Sequence, residues 1–313
     1  MSCQIRPGTL APVPGEPVRY RSHDEDSGRW IGFPFRDGDI VISTRSKSGT
    51  TWMQMICALL VFQTTELPAP LAELSPWLDW LVRPRPEVFA ALAAQPHRRF
   101  VKTHTPLDGI RLDPRATYIV VARHPLDMAV SLYHHRHNID RRRLRSLTGH
   151  TEPDRTETAP SSLREWLLEW IERRVAPGDE LDSLPGVMWH LGDAWGRRRQ
   201  PNVVLVHYHD LTNDLEGEMR RLAELLEIAV PEPTWPVLVA AARFESMQAA
   251  AERLAPDVSG VLRDRAAFLR GGVSGAGRAV LTDDELARYH ARTAALAPPD
   301  LLAPPAISPS ATA

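Results

Sequence analysis

An apolar run, a turn of small and basic residues and a helical stretch follow one another directly between residues 39 and 63. Residues 39–43 have the β-branched composition of a buried strand, and residues 53–63 that of a buried helix. The turn between them reads Thr44-Arg45-Ser46-Lys47-Ser48-Gly49-Thr50-Thr51-Trp52. The first N–H groups of a helix lack intrahelical partners and the helix dipole is positive there, so this turn can hold phosphate or sulfate. Lys47 adds a full positive charge.

The position of the lysine distinguishes this turn from a Walker A loop. In a Walker A loop the lysine follows the last glycine, whereas Lys47 precedes Gly49 by two residues. The turn therefore does not favour a P-loop kinase, although the order of strand, anion-binding turn and helix is shared. Taken alone, the same segment is also compatible with an ordinary strand-to-helix turn that carries an exposed lysine.

Size and charge limit the classes of protein to which the chain can belong. With 313 residues, of which 43% are hydrophobic, the chain can bury a substantial core, and we expect one α/β domain. The formal net charge of -2 at pH 7 gives no basic field that would attract nucleic acid. We therefore expect no nucleic-acid partner, and any polyanion must be bound by local cations.

Cysteine usage and hydropathy bear on the location of the protein. Cys3 and Cys57 form neither a disulfide framework nor a zinc site, which is typical of a reducing cytoplasm. Residues 1–17 lack the pattern of a secretory signal, and no run of about 18 consecutive apolar residues occurs. We expect a cytoplasmic protein without a transmembrane segment.

Four short apolar runs separated by helical patterns predict a parallel sheet that is covered on both faces. These runs lie at residues 39–44, 99–103, 117–122 and 202–208. Amphipathic helices are predicted at residues 163–171, 187–195 and 213–227. The predicted fold class is α/β, with a central parallel sheet flanked by helices in three layers that resemble P-loop folds.

The ends of the chain are rich in proline, glycine and charged residues, which is typical of weakly ordered segments. We expect a weakly ordered N-terminal arm at residues 1–30, a single domain at 31–296 and a flexible C-terminal tail at 297–313. Residues 140–160 combine an arginine cluster with a stretch rich in Thr, Glu, Pro and Ser. They predict either a solvated loop or a mobile lid over the site.

Basic residues and a histidine stand where two of the predicted strands end. Lys102 and His104 follow the second strand, and Arg123 follows the third. Ligands of open parallel sheets bind beyond the carboxyl ends of the strands, so these side chains should face the same crevice as Lys47. Ser131 lies about two turns into the helix after Arg123. A structural role for His104 and a surface ion pair for Arg123 are the alternatives.

A glycine-rich segment, Arg270-Gly271-Gly272, adds a fourth element that suits a phosphate ligand. In this order, the four elements resemble the motif set of sulfotransferases that use 3′-phosphoadenosine 5′-phosphosulfate (PAPS). The similarity runs from about residue 35 to 285. The sequences at residues 75–79 and 98–109 look similar to actinobacterial members of the family, among them mycobacterial glycolipid sulfotransferases.

The resemblance implies a sulfotransferase enzyme that uses PAPS as co-substrate, releases PAP (3′-phosphoadenosine 5′-phosphate) and needs no metal. It implies that His104 is the general base for an in-line transfer to a hydroxyl group of a small-molecule, lipid or glycolipid acceptor. It further implies that Lys47 neutralises the leaving phosphate and that Lys102 stabilises the sulfuryl oxygens. These three residues are the predicted catalytic set.

The resemblance also implies a donor site in which Trp52 and Tyr208 lie near adenine, while Arg123 and Ser131 contact the 3′-phosphate. The residues implied for this site are Lys47, Ser48, Gly49, Thr50, Thr51, Trp52, Arg123, Ser131, Tyr208, Arg270, Gly271 and Gly272. Candidates for the wall of an apolar acceptor pocket are Trp77, Trp80 and Tyr133, with ordinary packing as the alternative.

Some positions depart from the family pattern. Ser46 replaces the usual proline before the loop lysine, and Gly271 replaces a lysine, which removes one cation from the 3′-phosphate site. The family's dimer motif is not reproduced at residues 278–287, so no oligomeric state is predicted. A small-molecule kinase and a noncatalytic nucleotide-binding relative are the alternative functions.

Overall fold

The computed structural model of the protein describes residues 16–149, 162–255, 259–271 and 274–302. At the centre of these residues is a parallel sheet of four strands, β1 (Ile40–Ser43), β2 (Phe100–Thr103), β3 (Thr117–Ala122) and β4 (Val203–His207). Hydrogen bonds join the strands in the order β2-β1-β3-β4. The four predicted strands are confirmed, and their ends lie at or next to the predicted ones.

Side chains along β1 alternate between the two faces of the sheet. Ile40 and Ile42 belong to the core cluster that contains most of the first helix, whereas Val41 belongs to the cluster on the other side with Tyr118. The side chains of all four β1 residues are fully buried. Burial on both faces explains why the strands read as continuous apolar runs, and it confirms the predicted three-layer α/β fold.

Helices cover both faces of the sheet. In chain order the described helices are α1 (Thr50–Phe62), α2 (Leu71–Leu74), α3 (Arg85–Ala94), α4 (Pro125–Asn138), α5 (Arg141–Thr148), α6 (Leu163–Glu172), α7 (Leu184–Gly196), α8 (Tyr208–Asn213), α9 (Leu215–Leu225), α10 (Trp235–Ala242), α11 (Phe244–Ala249), α12 (Ala251–Leu254), α13 (Asp283–Leu296) and α14 (Pro299–Leu302). The three predicted amphipathic helices correspond to α6, α7 and α9. Within the described ranges, no helix has the length and apolar character needed to cross a membrane.

Helix α1 starts directly beyond the carboxyl end of β1. Its N-cap is Gly49, whose φ of 105° lies in the left-handed region that glycine adopts readily. The helix is buried from Thr50 to Leu60, which anchors its axis against the sheet. Its first N–H groups consequently point into the space beyond the strands, as the sequence predicts.

The N-terminal segment is more ordered than its composition suggests. Tyr20 and Trp30 are each only 4% exposed. The backbone N–H of Asp26 donates to the carbonyl oxygen of Asp79 (2.9 Å), and that of Leu81 donates to Asp24 (2.8 Å). For residues 16–30, pairing with a distant segment thus adds contacts that local composition does not indicate. Residues 1–15 lie outside the described part of the chain.

Candidate active site

A cavity of about 780 Å³ is lined by residues that follow β1, β2 and β3. The predicted site residues that line it are Lys47, Gly49, Thr50, Thr51, Trp52, Lys102, His104, Arg123, Ser131, Tyr208, Arg270 and Gly271. Ser48 is buried within the turn and is not part of the lining, and Gly272 lies outside the described residues. The structure thus brings side chains from both halves of the chain to one space.

The turn that leads from β1 to α1 has an unusual backbone. Lys47 has a φ of 63°, so a lysine occupies the left-handed region. A Cβ atom on Gly49 would lie 3.0 Å from Cδ2 of Tyr208, so both the backbone angle and the available space favour glycine at this position. The left-handed backbone at these two residues lets the chain turn from the end of β1 into the start of α1.

The ammonium group of Lys47 is held against the C-terminal part of the site. Its Nζ donates to the carbonyl oxygen of Phe268 (3.1 Å) and lies 3.9 Å from the centre of the Phe268 ring. Burial, followed by the positive charges of Arg123, Lys102 and Arg270 in that order, lowers the pKa of Lys47 to about 7. A bound anion would raise the pKa of Lys47 again.

Arg123 connects the end of β3 with the turn. Its Nη1 donates to the carbonyl oxygen of Lys47 (3.1 Å), and its guanidinium carbon lies 4.4 Å from the centre of the Tyr208 ring. Burial lowers the pKa of Arg123 from its usual value. An arginine ordered in this way can bind a phosphate without a large loss of side-chain freedom.

His104 is buried, and the backbone directly after β1 orients its ring. Its Nδ1 lies 2.6 Å from the carbonyl oxygen of Thr44, which can only accept a hydrogen bond, so we place the ring proton on Nδ1. Burial, followed by the charges of Lys102 and Arg45, holds the pKa of His104 well below its usual value. The ring is therefore neutral near pH 7, with an unprotonated Nε2 that can accept a proton.

Asp79 holds the chain around His104 in place. This carboxylate is fully buried, and its Oδ2 accepts hydrogen bonds from Thr103 Oγ1 (2.8 Å), Thr105 Oγ1 (2.6 Å) and, at longer range, the backbone N–H of His104 (3.4 Å). The segment before Asp79 also pairs with β2, since the N–H of Lys102 donates to Pro76 (3.0 Å). Sequence reasoning assigned no role to Asp79.

Lys102 is stacked on an aromatic pair. Its Nζ lies 3.9 Å from the centre of the Trp77 ring, and Trp77 stacks on Trp80 with ring centroids 5.1 Å apart. Burial lowers the pKa of Lys102 to about 8, against which the carboxylates of Glu25 and Asp79 act. Both tryptophans line the cavity, so their predicted place at the acceptor pocket is compatible with the structure.

Trp52 and Tyr208 form an aromatic pair beside the turn. Their ring centroids lie 5.1 Å apart in an edge-on arrangement. Trp52 Nε1 donates to the carbonyl oxygen of Ala242 (2.8 Å), which fixes the indole in position. Both residues line the cavity, so a planar ring can contact them there.

Two further segments border the cavity. The side-chain amide of Gln248 donates to the carbonyl oxygens of Leu269 (3.0 Å) and Arg270 (3.1 Å), which attaches the C-terminal segment to α11. Helix α5, in the first half of the predicted lid region, also contributes to the lining. Residues 150–161 of that region lie outside the described part of the chain.

Tyr133 does not line the cavity, so of its two predicted roles the structure favours ordinary packing. Its ring centroid lies 5.7 Å from that of Trp166, in the cluster between α4 and α6. Tyr133 stands two positions after Ser131 on the same helix, which turns its side chain to a different face. Among the described residues, no group of three or more His, Cys, Asp and Glu side chains could hold a metal ion.

Comparison with known proteins identifies the family. A family model for the sulfotransferase domain matches residues 37–295. This chain belongs to the sulfotransferase family. A glycolipid sulfotransferase of Mycobacterium bovis is 42% identical to it over 304 residues, which covers 91% of this chain and 93% of that protein. A glycolipid sulfotransferase of Mycobacterium tuberculosis is 42% identical over 303 residues, with the same coverage.

Solved structures of sulfotransferases and related enzymes share the fold. Retinol dehydratase in complex with androsterone and PAP superposes with a TM-score of 0.64 and 21% identity, covering 85% of this sulfotransferase and 82% of that chain. A mouse sulfotransferase complexed with PAP gives a TM-score of 0.63 and 19% identity, covering 88% and 89% respectively. At these identities the likeness concerns the fold alone, and the chain is an enzyme of the sulfotransferase class by its family membership.

Three polar residues of the site were missed by sequence reasoning. Asp79, Glu25 and His135 are drawn into it by tertiary contacts, and the last two line the cavity. His135 stands four residues after Ser131, so helical periodicity places both on one face of α4 and could have identified it. Glu25 and Asp79 carry no comparable local signal, because their positions depend on pairing between distant segments.

Proposed function

We propose that this sulfotransferase transfers the sulfuryl group of PAPS to a hydroxyl group of a small-molecule, lipid or glycolipid acceptor, with His104 as general base. The convergence of Lys47, Lys102 and Arg123 on one cavity, beside the start of α1 and a neutral histidine, carries this proposal. Cations and helix N–H groups are the means by which proteins bind phosphate and sulfate groups.

In the proposed donor complex, the 5′-phosphosulfate lies at the start of α1 with Lys47, Ser48, Gly49, Thr50 and Thr51. The adenine ring contacts Trp52 and Tyr208. The residues proposed for the 3′-phosphate are Arg123, Ser131, Arg270, Gly271 and Gly272. The low pKa of Lys47, about 7, supports an anionic ligand, because bound phosphate would stabilise the charged form that burial and the neighbouring cations disfavour.

The proposed reaction is an in-line displacement at sulfur. The acceptor oxygen forms a bond to sulfur while the bond between sulfur and the bridging oxygen of the 5′-phosphate breaks, and the electron pair of that bond stays on the phosphate. The acceptor's hydroxyl proton moves to Nε2 of His104. Lys47 neutralises the charge that develops on the leaving phosphate, and Lys102 stabilises the sulfuryl oxygens. We propose that these side chains suffice without a metal.

We base the proposed acceptor class on the relatives. The two mycobacterial proteins that are 42% identical to this chain are named glycolipid sulfotransferases, which supports a glycolipid acceptor here. We also propose a cytoplasmic location, because Cys57 is a free buried thiol and suits a reducing compartment. Neither a kinase nor a noncatalytic role is favoured, because the family match and the order of Lys47 and Gly49 support sulfuryl transfer.

Calorimetric titration with PAP, and separately with ATP and Mg²⁺, tests the donor assignment. We expect PAP to bind at least tenfold more tightly, and a preference for ATP would refute the proposal. Transfer of labelled sulfate from PAPS to a panel of hydroxyl acceptors distinguishes an enzyme from a noncatalytic relative. His104→Ala should retain PAP binding and lose roughly 10²- to 10⁴-fold in kcat, whereas full activity of this variant would refute the base assignment.

A further inference from the structure

Two polar side chains that line the cavity have no part in the proposed chemistry. Glu25 precedes β1 in the chain and forms an antiparallel bridge with Trp80. His135 lies on α4, one turn after Ser131. Both line the same cavity as Lys47 and Lys102.

The carboxylate of Glu25 faces the cavity with its hydrogen-bonding capacity unused. Within the described part of the chain, no donor forms a hydrogen bond with either carboxylate oxygen, and the nearest cation, Nη1 of Arg45, is 3.9 Å from Oε2. Burial raises the pKa of Glu25 well above its usual value, against the opposing effect of Arg45. Backbone pairing of residues 24–26 with 79–81 holds the side chain in this position.

His135 offers the complementary group. Its Nδ1 is buried and forms no hydrogen bond with the described residues, so Nε2 is the ring atom that can reach a ligand. Buried unpaired acceptors occur more often in proteins than buried unpaired donors, which places the ring proton on Nε2. Burial and the nearby charges of Lys47, Lys102 and Arg141 hold the pKa of His135 well below its usual value, so the ring is a neutral donor near pH 7.

We propose that Glu25 and His135 bind hydroxyl groups of the acceptor next to the one that is sulfated, so that the acceptor group in the site is a polyhydroxylated ring such as a sugar. This inference rests on the proposed function and assigns its acceptor subsite. Glu25 accepts a hydrogen bond from one hydroxyl group, and His135 donates one to another, while the reacting hydroxyl group donates to His104.

The surrounding charges decide between classes of acceptor. A sterol or simple phenol would cover Glu25 and His135 without offering partners, and leaving buried polar groups unpaired is unfavourable. An ammonium group would gain little from Glu25, because Lys102 and Arg45 already flank that carboxylate. A neutral ring with several hydroxyl groups satisfies both side chains without adding charge.

The test compares acceptors and variants in one transfer assay with labelled PAPS. The acceptors are octyl β-glucoside, octyl β-galactoside and trehalose on one side, and 4-nitrophenol and cholesterol on the other. The variants are Glu25→Gln and His135→Phe, with Glu87→Gln and His137→Phe as controls whose side chains do not line the cavity. Calorimetry with PAP on each variant monitors the donor site separately.

We expect the wild-type protein to sulfate at least one sugar with a higher kcat/KM than either of the other acceptors. Glu25→Gln and His135→Phe should each lower kcat/KM for that sugar at least tenfold, which corresponds to about 1.4 kcal/mol. Both variants should leave PAP binding unchanged. Preference for 4-nitrophenol or cholesterol, sulfation of no sugar, or an equal effect of the control variants would overturn the inference. Failure of the wild-type protein to bind PAP would instead refute the proposed function.

Discussion

Substitution of Asp79 should separate the placement of His104 from the binding of the donor. Oδ2 of Asp79 accepts two short hydrogen bonds, from Thr103 and Thr105, and one longer bond from the N–H of His104. A hydrogen bond to a charged group contributes about 1.5–3 kcal/mol, and the desolvation of the buried carboxylate offsets part of the sum. We expect Asp79→Ala to lower the free energy of unfolding by about 2–4 kcal/mol and Asp79→Asn by about half as much.

The effect on catalysis should exceed the effect on donor affinity. Asp79 fixes the backbone at the base but has no hydrogen bond with the turn that holds Lys47. A displacement of about 1 Å at a reacting group can reduce the rate about 10²-fold. For Asp79→Asn we therefore expect kcat to fall by about tenfold to 10²-fold, while the Kd of PAP measured by calorimetry stays close to that of the wild-type protein.

The pH profile distinguishes this role from a loss of stability alone. The charge of Asp79 raises the pKa of Lys102, which burial lowers to about 8. Without that charge the pKa falls, Lys102 loses its proton at lower pH, and the alkaline limb of kcat should move to lower pH. Asp37→Asn, at an exposed position, is the control. Wild-type kcat and an unmoved alkaline limb in Asp79→Asn would refute the reasoning.

Three further predictions concern the turn and the core. Gly49→Ala should weaken PAP binding at least tenfold in calorimetry, because its φ is 105° and a Cβ would lie 3.0 Å from Tyr208; an unchanged Kd would contradict this. PAP binding should take up protons near pH 7, because the pKa of Lys47 is about 7 in the free protein and rises beside bound phosphate. Calorimetry in buffers of different ionisation enthalpy measures this uptake, and Lys47→Met should reduce it; equal uptake in the variant counts against the assignment. Asp39→Asn should lower the free energy of unfolding in urea by about 3–5 kcal/mol, because it leaves Arg99 buried without its counter-charge; a loss below about 1 kcal/mol would argue against it.

The parts of the fold that depend on local pattern could be predicted from the sequence. The strands are buried on both faces, so each appears in the sequence as an apolar run. The ends of these runs lie at or next to the ends of the strands. The ends of parallel strands meet at one edge of the sheet, so the sequence alone predicts that Lys47, Lys102, His104 and Arg123 lie together.

The parts that depend on pairing between distant segments could not be predicted. Residues 16–30 have the composition of a flexible arm, yet backbone hydrogen bonds with residues 79–81 order them and bring Glu25 to the cavity. Asp79 has no local feature that marks it as a buried carboxylate. For Tyr133 the structure favours the packing alternative, because a helix that flanks the site turns only one of its faces towards the cavity.

The hydrogen bond from Lys47 to the carbonyl oxygen of Phe268 joins positions that are 221 residues apart. Because an ammonium group has three N–H donors, Lys47 can bind an anion while it keeps its hydrogen bond to this carbonyl, which stands two residues before Arg270. A ligand bound to Lys47 therefore contacts a side chain that is already tied to the last loop of the site.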